Sequence, residues 1–335
     1  MTEREHPFNA TITAVERYLP SRVVSNFDLE NVIDTTDAWI HERTGISERH
    51  FLDDEPTSFM AIEVADRLLR KRQISGDEID LIIVATITPD MAFPATACIV
   101  QDRIGARRAW GYDLSAACSG FVYAIVAGAQ FIESGAHKKV MVIGADKMSS
   151  IINVEDRTTY VLFGDGAGGV LLERSESEEE GLIDFELHSD GSGEDKLCLP
   201  AGGSKAPATH SSIDQRQHYV HQEGRAVFKV AVTRMAEVSL SVLKTNGFTI
   251  DDVDLFVPHQ ANGRIISATA ERMNLPMDKA FVNVNRYANT TNATIPIALS
   301  EASEMGRMKS GDLVQLSAFG GGYTWGSALF RWGSA

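Results

Sequence analysis

The sequence predicts an α/β fold with largely parallel central strands. Short apolar runs suited to buried strands alternate with stretches of helical periodicity, and each half of the chain has a buried strand that runs through a small-residue turn into a helix. The 335 residues, of which 44% are hydrophobic and 23% charged, suffice for one large or two medium domains. We expect two halves, residues 1–174 and 175–335; the alternative is one large domain with a long insertion.

The elements follow in order along the chain. Four runs are short and apolar enough for strands buried on both faces: residues 79–88, 140–145, 253–257 and 313–318. Thr57 is expected to cap a helix over residues 60–69, and Phe228 opens an apolar helical stripe that Gly247 ends. Residues 175–217, rich in Ser, Glu, Gly and Pro, are expected to form surface excursions rather than core.

Composition and charge exclude several classes of protein. The net charge of 31 − 46 = −15 repels phosphate backbones, so we expect no nucleic-acid partner, and an anionic substrate needs individual Arg or Lys ligands. No apolar run approaches the roughly 18 residues of a membrane span. The polar amino terminus lacks a signal core, so we expect a cytoplasmic protein. Three distant cysteines without a CxxC pair predict neither a disulfide framework nor a metal site.

The segment DLSAACSGF is the strongest indication of chemistry. A strand is predicted to end at Ser115 and a helix to begin at or next to Cys118, among small residues that let a substrate carbonyl approach. Unpaired N–H groups and the helix dipole at such a position can lower a thiol pKa from about 8.5 to roughly 3.5–7.5. We therefore expect Cys118 to be a thiolate nucleophile, and Cys98 and Cys198 to be ordinary packed residues.

Later segments offer partners for this nucleophile. His259, in LFVPHQANGRII, follows a buried strand, where open α/β sheets place their sites. Asn289 and Asn292 flank a Thr pair in ANTTNATIP, a pattern that also fits helix capping. The run Gly320–Gly322 suits a backbone oxyanion donor as well as a tight hairpin. By contrast, GDGAGG at residues 164–169 leads into a strand-like run, which argues against a nicotinamide-binding loop.

Together these segments resemble the β-ketoacyl-acyl-carrier-protein synthase III family of the thiolase superfamily. The resemblance covers nearly the whole chain, through the motifs DTTDAWIHERTGISERH, DLSAACSGF, DRTTYVLFGDGAG, VFKVAVT, VPHQANGRIISATA and AFGGGYTWGSAL. It implies two similar halves in a five-layered αβαβα arrangement, a homodimer, and an acyltransferase that needs no cofactor or metal.

The resemblance also implies the reaction. An acyl-CoA, with acetyl-CoA the expected primer, would acylate Cys118. Decarboxylative Claisen condensation with malonyl-acyl-carrier-protein would then give 3-oxoacyl-acyl-carrier-protein, coenzyme A and CO2, the initiating condensation of fatty-acid synthesis. The alternative within the family is a homologue that primes a specialised lipid, quinolone or resorcinol-type pathway.

Family roles carry over to matching positions. Cys118 corresponds to the nucleophile, and His259 and Asn289 to the groups that act on the malonyl thioester, the histidine neutral and donating through Nε2. The backbone N–H groups of Cys118 and Gly321 resemble the oxyanion hole. Positions that match contacts to coenzyme A and the acyl chain are Trp39, Arg43, Phe93, Arg157, Gly224, Phe228 and Asn262. Positions that match the carrier-protein docking segment are Lys229, Gln260, Ala261, Asn262, Gly263 and Arg264.

The chain departs from the family pattern at two positions. Ala288 stands where the family usually has Gly, so a positive φ there would be costly, and Asn292 stands where a small residue is usual. Two other functions are alternatives to this one. A hydrolase is suggested by the Cys–His–Asn order and the separation of 259 − 118 = 141 residues, but no CGSCW-like signature is present. A non-catalytic carrier-binding partner would normally lack Cys118.

Overall fold

The computed structural model of the protein describes residues 8–175, 177 and 179–333. The strands within these residues are β1 (Asn9–Tyr18), β2 (Arg22–Ser25), β3 (Glu48–Phe51), β4 (Leu81–Ala85), β5 (Trp110–Leu114), β6 (Lys139–Asp146), β7 (Gly166–Ser175), β8 (Gly181–Ser189), β9 (Leu197–Cys198), β10 (His221–Gln222), β11 (Leu255–Pro258), β12 (Leu313–Gly320) and β13 (Thr324–Arg331). The helices are α1 (Asn26–Glu30), α2 (Asp37–Thr44), α3 (Thr57–Arg72), α4 (Thr96–Arg103), α5 (Gly120–Glu133), α6 (Arg157–Tyr160), α7 (His210–Asp214), α8 (Gly224–Thr245), α9 (Gly263–Met273), α10 (Val284–Tyr287) and α11 (Thr294–Glu304).

Two mixed sheets form the framework. The first has the strand order β1-β7-β6-β4-β5, in which β4 is parallel to both β5 and β6, whereas β7 runs antiparallel to its neighbours. The second has the order β11-β12-β13-β8, in which β11 and β12 are parallel and the other pairs antiparallel. The expectation of largely parallel strands therefore holds at the centre of the first sheet and for one pair of the second.

Helices cover both sheets and separate them. Helices α3 and α4 pack on the outer face of the first sheet, α5 and α11 lie between the two sheets, and α8 and α9 pack on the outer face of the second. This order of layers is αβαβα, and the predicted five-layered arrangement is confirmed. The predicted boundary near residue 175 stays a prediction.

Strand β4 shows why the central runs are continuously apolar. Leu81, Ile83 and Ala85 face the helices between the sheets, while Ile82 and Val84 face α3 and α4. Side chains alternate along a strand, so a strand covered on both faces needs apolar residues at every position. Fully burying a side chain of this size stabilises the fold by about 1.5–3 kcal/mol.

Three expectations about the elements were wrong in detail. Thr57 is the first residue of α3, and its hydroxyl donates to the carbonyl of Thr88 (2.6 Å) rather than capping the helix. Residues 175–217 are more than surface excursions, because β8 belongs to the second sheet. Cys98 and Cys198 were both expected to be packed residues, but Cys98 is exposed and Cys198 only partly buried. No helix among the described residues is both long and apolar enough to cross a bilayer.

The first sheet and the segment before α11 come into close backbone contact at Gly144 of β6. A Cβ atom at this position would lie 2.2 Å from the carbonyl oxygen of Asn292 and 2.7 Å from its carbonyl carbon. Only glycine lets the segment before α11 rest directly on the first sheet.

Gly144→Ala should therefore lower the free energy of unfolding by about 1–3 kcal/mol, since a backbone contact has to open. Urea unfolding followed by circular dichroism measures this change. Gly203→Ala is the control, because a Cβ there has no neighbour within 4 Å, and its effect should stay within about 0.5 kcal/mol. Equal stability of the two variants would contradict the close contact.

Candidate active site

Cys118 lies in a short 3-10 turn, Ala117–Ser119, between β5 and the start of α5 at Gly120. The turn is clamped to the beginning of β13: the Ser119 hydroxyl donates to the Thr324 carbonyl (2.9 Å), and the Thr324 hydroxyl donates to the Ala116 carbonyl (2.8 Å). Ala117 adopts φ 46°, a left-handed conformation that costs free energy in a residue with a Cβ. The surrounding fold thus imposes the shape of the turn.

The predicted thiolate is not what the structure supports. The Cys118 side chain is buried, with 8% of the residue exposed. Burial and, next, the negative charge of Asp146 raise the pKa of the thiol to about 12, and its own backbone N–H acts in the opposite direction. Burial disfavours the charged thiolate, because the sulfur loses its solvation by water. The resulting rise in the Cys118 pKa is larger than the decrease that the sequence predicted from the helix start. The resting residue is a thiol, so its proton has to leave during the reaction.

His259 follows β11 and is fixed by its backbone, whose N–H donates to the carbonyl of Ser317 in the neighbouring strand (2.8 Å). The ring is almost wholly buried, and burial lowers the pKa of His259 to about 3. It is therefore neutral at physiological pH, as expected.

The tautomer of His259 is coupled to one hydroxyl group. Nδ1 lies 2.7 Å from Oγ1 of Thr294, which also donates to the carbonyl of Thr291 (3.0 Å). When the Thr294 hydroxyl donates to the Thr291 carbonyl, its oxygen accepts from Nδ1–H of His259, and Nε2 carries a lone pair. When the hydroxyl turns to the ring, Nδ1 accepts and Nε2 carries the proton. Thr294 can therefore hydrogen-bond to either neutral tautomer of His259. The expected tautomer, with the proton on Nε2, is one of these two.

Asn289 sits between the two halves and has a fixed amide orientation. Its backbone N–H donates to Leu162 (2.9 Å), its carbonyl accepts from Gly164 (3.1 Å), and its Oδ1 accepts from the N–H of Thr291 (2.8 Å). With the oxygen engaged, the side chain offers its N–H donors to the cavity that it lines.

One cavity of about 890 Å³ joins the three residues. Its lining includes most positions that the resemblance assigned to coenzyme A, the acyl chain and the carrier protein: Trp39, Arg43, Gly224, Phe228, Ala261, Asn262 and Arg264. Cys118, His259 and Asn289 are buried, whereas Arg43, Arg225 and Arg264 are exposed. The cavity therefore connects a buried polar centre with a cationic rim.

At the rim, the guanidinium groups of two arginines pack against the indole ring of Trp39. The Arg157 guanidinium carbon lies 4.6 Å from the centre of the indole ring and that of Arg43 lies 4.9 Å from it. Arg157 does not line the large cavity, and it donates to the carbonyl of Asp34 (2.9 Å). A planar ring bound between Trp39 and Arg157 would have to separate this pair.

The two predicted oxyanion donors belong to neighbouring backbone segments. A Cβ on Gly320 would lie 2.6 Å from the backbone nitrogen of Cys118, so the turn and the end of β12 are in direct contact just before Gly321. Gly320–Thr324 forms the turn between β12 and β13, so the hairpin interpretation of the glycines is correct, and the oxyanion role of Gly321 stays a prediction.

Some predicted contacts are not where the sequence suggested. Gln260 is 1% exposed; its amide donates to Pro258 and Phe281, so it is a core residue and not part of a docking surface. Phe93 is 84% exposed and does not line the cavity of its own chain. Lys229 is exposed on α8 outside the cavity, so its role in carrier docking stays a prediction, and Gly263 packs against Thr44 at the start of α9.

Sequence reasoning missed other residues of the site. Leu197 and Cys198 of β9 line the cavity, within the region expected to be a surface excursion, and no local pattern indicated this. Asp146 is fully buried at the end of β6. A single carboxylate closing the apolar run VMVIGAD is unusual in a core and could have identified it.

Comparisons with known proteins assign the family. Residues 112–191 match the sequence model described as 3-oxoacyl-[acyl-carrier-protein] synthase III, and residues 243–332 match the model of its C-terminal part. A β-ketoacyl-[acyl-carrier-protein] synthase III of Chlorobium luteolum is 57% identical over 327 residues, which are 97% of this chain and 99% of that protein. The chain belongs to the β-ketoacyl-acyl-carrier-protein synthase III family.

Solved structures agree with this assignment. The 3-oxoacyl-[acyl-carrier-protein] synthase III of Aquifex aeolicus is 45% identical, covers 96% of this chain and all of its own, and superposes with a TM-score of 0.90. A priming β-ketosynthase from the R1128 polyketide pathway is 30% identical with a TM-score of 0.89, and the match covers 98% of this chain and 97% of that one. The fold is thiolase-like, and the protein is a condensing acyltransferase.

The departure at Ala288 is accommodated with backbone strain. This residue ends α10 at φ 55° and ψ −158°, a region that side chains with a Cβ rarely adopt.

Ala288→Gly should stabilise the protein by about 1 kcal/mol, because the relieved strain of about 1–3 kcal/mol exceeds the about 0.8 kcal/mol lost with one buried methyl group. Equilibrium unfolding in guanidinium chloride measures the difference. Ala298→Gly, equally buried but in the regular helix α11, is the matched control and should be destabilising. Destabilisation of both variants would argue against strain at Ala288.

Proposed function

We propose that this protein catalyses the initiating condensation of fatty-acid synthesis, from an acyl-CoA, with acetyl-CoA the expected primer, and malonyl-acyl-carrier-protein. The observation that carries the proposal is the single cavity in which Cys118, His259 and Asn289 lie behind a cationic rim. The buried end suits a thioester carbonyl, and the rim suits the phosphates of coenzyme A. The chain is 57% identical to a β-ketoacyl-[acyl-carrier-protein] synthase III and 30% identical to the polyketide-priming enzyme, which favours bulk fatty-acid synthesis over a specialised pathway.

In the acylation step, the Cys118 sulfur attacks the thioester carbonyl of the acyl-CoA. The S–H proton passes to Nε2 of His259 while Nδ1–H donates to Thr294. The backbone N–H groups of Cys118 and Gly321 hold the oxyanion, the bond to the coenzyme A sulfur breaks, and Nε2 returns the proton to that sulfur. The products are acyl-Cys118 and free coenzyme A, with His259 neutral again.

Between the two steps, His259 gives its Nδ1 proton to solvent and gains one at Nε2, with no net change in protons, as the Thr294 hydroxyl turns to Nδ1. In the condensation step, the malonyl thioester oxygen accepts from Asn289 Nδ2 and from His259 in its Nε2–H form. The carboxylate leaves as CO2, and its bonding electron pair forms an enolate that these donors stabilise. The enolate carbon attacks the acyl-Cys118 carbonyl, and the carbon–sulfur bond breaks. The overall reaction consumes one proton, which restores the thiol.

Cys118→Ser is expected to lose both acylation and condensation, because a buried hydroxyl is a far weaker nucleophile than sulfur. Transfer of radiolabel from acyl-CoA to the protein measures acylation, and mass spectrometry of the carrier-bound product measures condensation. Cys98→Ser, at an exposed cysteine outside the cavity, is the matched control and should keep both. Labelling of Cys118→Ser at the wild-type level would refute the assignment.

We infer that the acidic carrier protein docks beside the rim. Arg225 and Lys229 are exposed one helical turn apart on α8, and Arg264 is exposed at the start of α9, with its guanidinium 5.7 Å from the ring centre of Phe228. A chain of net charge −15 needs such local cations to bind an acidic partner. Of the residues that the sequence predicted for docking, Gln260 is buried and is left out of this surface, whereas the exposed Arg264 and Lys229 are kept in it.

We infer further that the active form is a homodimer joined at the edge of the first sheet. Strand β5 pairs with β4 on one side only, and Trp110 at its start is 47% exposed. The segment with Phe93 is held beside this edge, because Asp113 of β5 accepts from the N–H groups of Thr96 (2.7 Å) and Ala97 (2.8 Å). An exposed strand edge next to a large exposed aromatic ring is typical of an interface. Across it, Phe93 would reach the partner's cavity.

Phe93→Asp should shift the protein from a dimer to a monomer of 36.6 kDa, since the charge would be buried in the interface. Sedimentation equilibrium at micromolar concentration measures the mass. Phe27→Asp is the control, because Phe27 is also exposed, at 64%, but lies on α1. Retention of the dimer by Phe93→Asp, or its loss in Phe27→Asp, would locate the interface elsewhere.

A further inference from the structure

Asp146 is a fully buried carboxylate that touches both halves of the fold. From the first half, Oδ1 accepts from the Thr86 hydroxyl (3.0 Å), the Ile87 N–H (2.7 Å) and the Thr88 hydroxyl (3.2 Å). From the second half, Oδ2 accepts from the Thr291 hydroxyl and from the backbone and side-chain N–H groups of Asn292 (3.0 and 2.8 Å). Six neutral donors converge on one carboxylate, which none of the roles assigned above uses.

Thr291 connects this carboxylate with both polar groups of the condensation step. Its backbone N–H donates to Oδ1 of Asn289 (2.8 Å), which fixes the orientation of the amide. Its carbonyl accepts from the Thr294 hydroxyl (3.0 Å), which in turn lies 2.7 Å from Nδ1 of His259. The peptide groups of one residue therefore determine where the Asn289 and His259 donors point.

Thr291 holds an unfavourable backbone conformation while doing so. Its φ is 48°, a left-handed value that is an outlier for a β-branched residue. A strained backbone conformation persists only where surrounding contacts hold it in place. At Thr291, the hydrogen bond from its hydroxyl to Asp146 is such a contact, and it comes from the other half of the fold.

We propose that Asp146 is a positioning residue for the condensation step, which orients Asn289 and His259 together by holding Thr291 through its hydroxyl. Asn292, the residue that departs from the family pattern, adds a side-chain donor to the same carboxylate and strengthens the hold. The proposal rests on the proposed function, because it assigns Asn289 and His259 to the malonyl thioester.

The negative charge of Asp146 has a second effect, on the nucleophile. Burial raises the pKa of Asp146 itself, against the hydrogen bonds from Thr291, Ile87 and Asn292, which lower it. In its ionised form the carboxylate acts with burial to raise the pKa of the Cys118 thiol, and the neutral ring of His259 is a further titratable group at the cavity's buried end. Removing the charge should therefore make the thiol easier to ionise, although it slows the condensation. Unfolding would expose the thiol and change both quantities in the same way, so Asp146→Asn has to show the wild-type circular dichroism spectrum and unfolding transition before its profile is compared.

The first test compares Thr291→Val with Thr291→Ser. Single-turnover condensation of pre-acylated enzyme with malonyl-acyl-carrier-protein is expected to fall by about tenfold or more in Thr291→Val, which lacks the hydroxyl. Thr291→Ser keeps the hydroxyl and should recover most of the loss. Acylation of Cys118 by radiolabelled acyl-CoA uses His259 but not Asn289, so it should fall less than condensation in Thr291→Val, and the KM for acyl-CoA should change by less than about threefold in both variants. Equal rates for the two variants, or an equal loss of acylation, would overturn the proposal.

The second test compares Asp146→Asn with Asp165→Asn. Asp165 is also a fully buried carboxylate, but its donors are Leu52 and Ser149 of the first half. Asp146→Asn is expected to slow condensation and to move the pH profile of iodoacetamide alkylation, followed by mass spectrometry of the Cys118 peptide, to lower pH. Asp165→Asn should leave the ratio of condensation to acylation and this profile unchanged. An unmoved profile in Asp146→Asn, or the same movement in both variants, counts against the proposal.

The wild-type enzyme separates this proposal from the proposed function. If wild type fails to condense acyl-CoA with malonyl-acyl-carrier-protein, the proposed function fails. If wild type is active and Thr291→Val condenses as fast as Thr291→Ser, only the role of Asp146 fails. If Asp146→Asn does not fold, the Thr291 pair decides the question alone, because neither of its members alters a charge.

Discussion

The close approach of the segment before α11 to the first sheet is the contact on which the site depends. Glycine residues at two strand positions permit this approach. A Cβ at Gly144 would clash with the Asn292 carbonyl before α11, and a Cβ at Gly168 would lie 2.8 Å from the backbone nitrogen of Ile297 within α11. Because the two layers touch at backbone distance, Asn289 reaches the cavity that contains Cys118. A bulkier residue at either glycine would separate groups that have to act on one substrate.

The reactive side chains of the site are buried, and burial determines their chemistry. Burial keeps His259 neutral and Cys118 protonated at physiological pH. In a low-dielectric cavity each hydrogen bond to a developing negative charge is stronger than in water, and charged resting groups are disfavoured. A neutral site that becomes charged only during reaction fits an enzyme that generates an enolate and must keep water from it.

The sequence predicted which residues form the site better than it predicted their burial and protonation. Cys118 and His259 follow runs of buried-strand character, so their place at strand ends was predictable from local sequence. The protonation of Cys118 was not, because it depends on enclosure by residues such as Phe319 and Leu197 that are distant in the chain. Gln260 was misassigned for a related reason: neighbours in an exposed-looking motif point in different directions, and only the fold shows that its amide is buried.

The turn around Cys118 has a consequence for when the nucleophile can form. Its shape depends on Thr324, some two hundred residues later in sequence, through paired hydrogen bonds. While a ribosome is still extending the second half, the first half holds the sulfur but lacks the clamp and the Gly321 amide. A nascent chain should therefore be unreactive toward thioesters until the hairpin of β12 and β13 has docked.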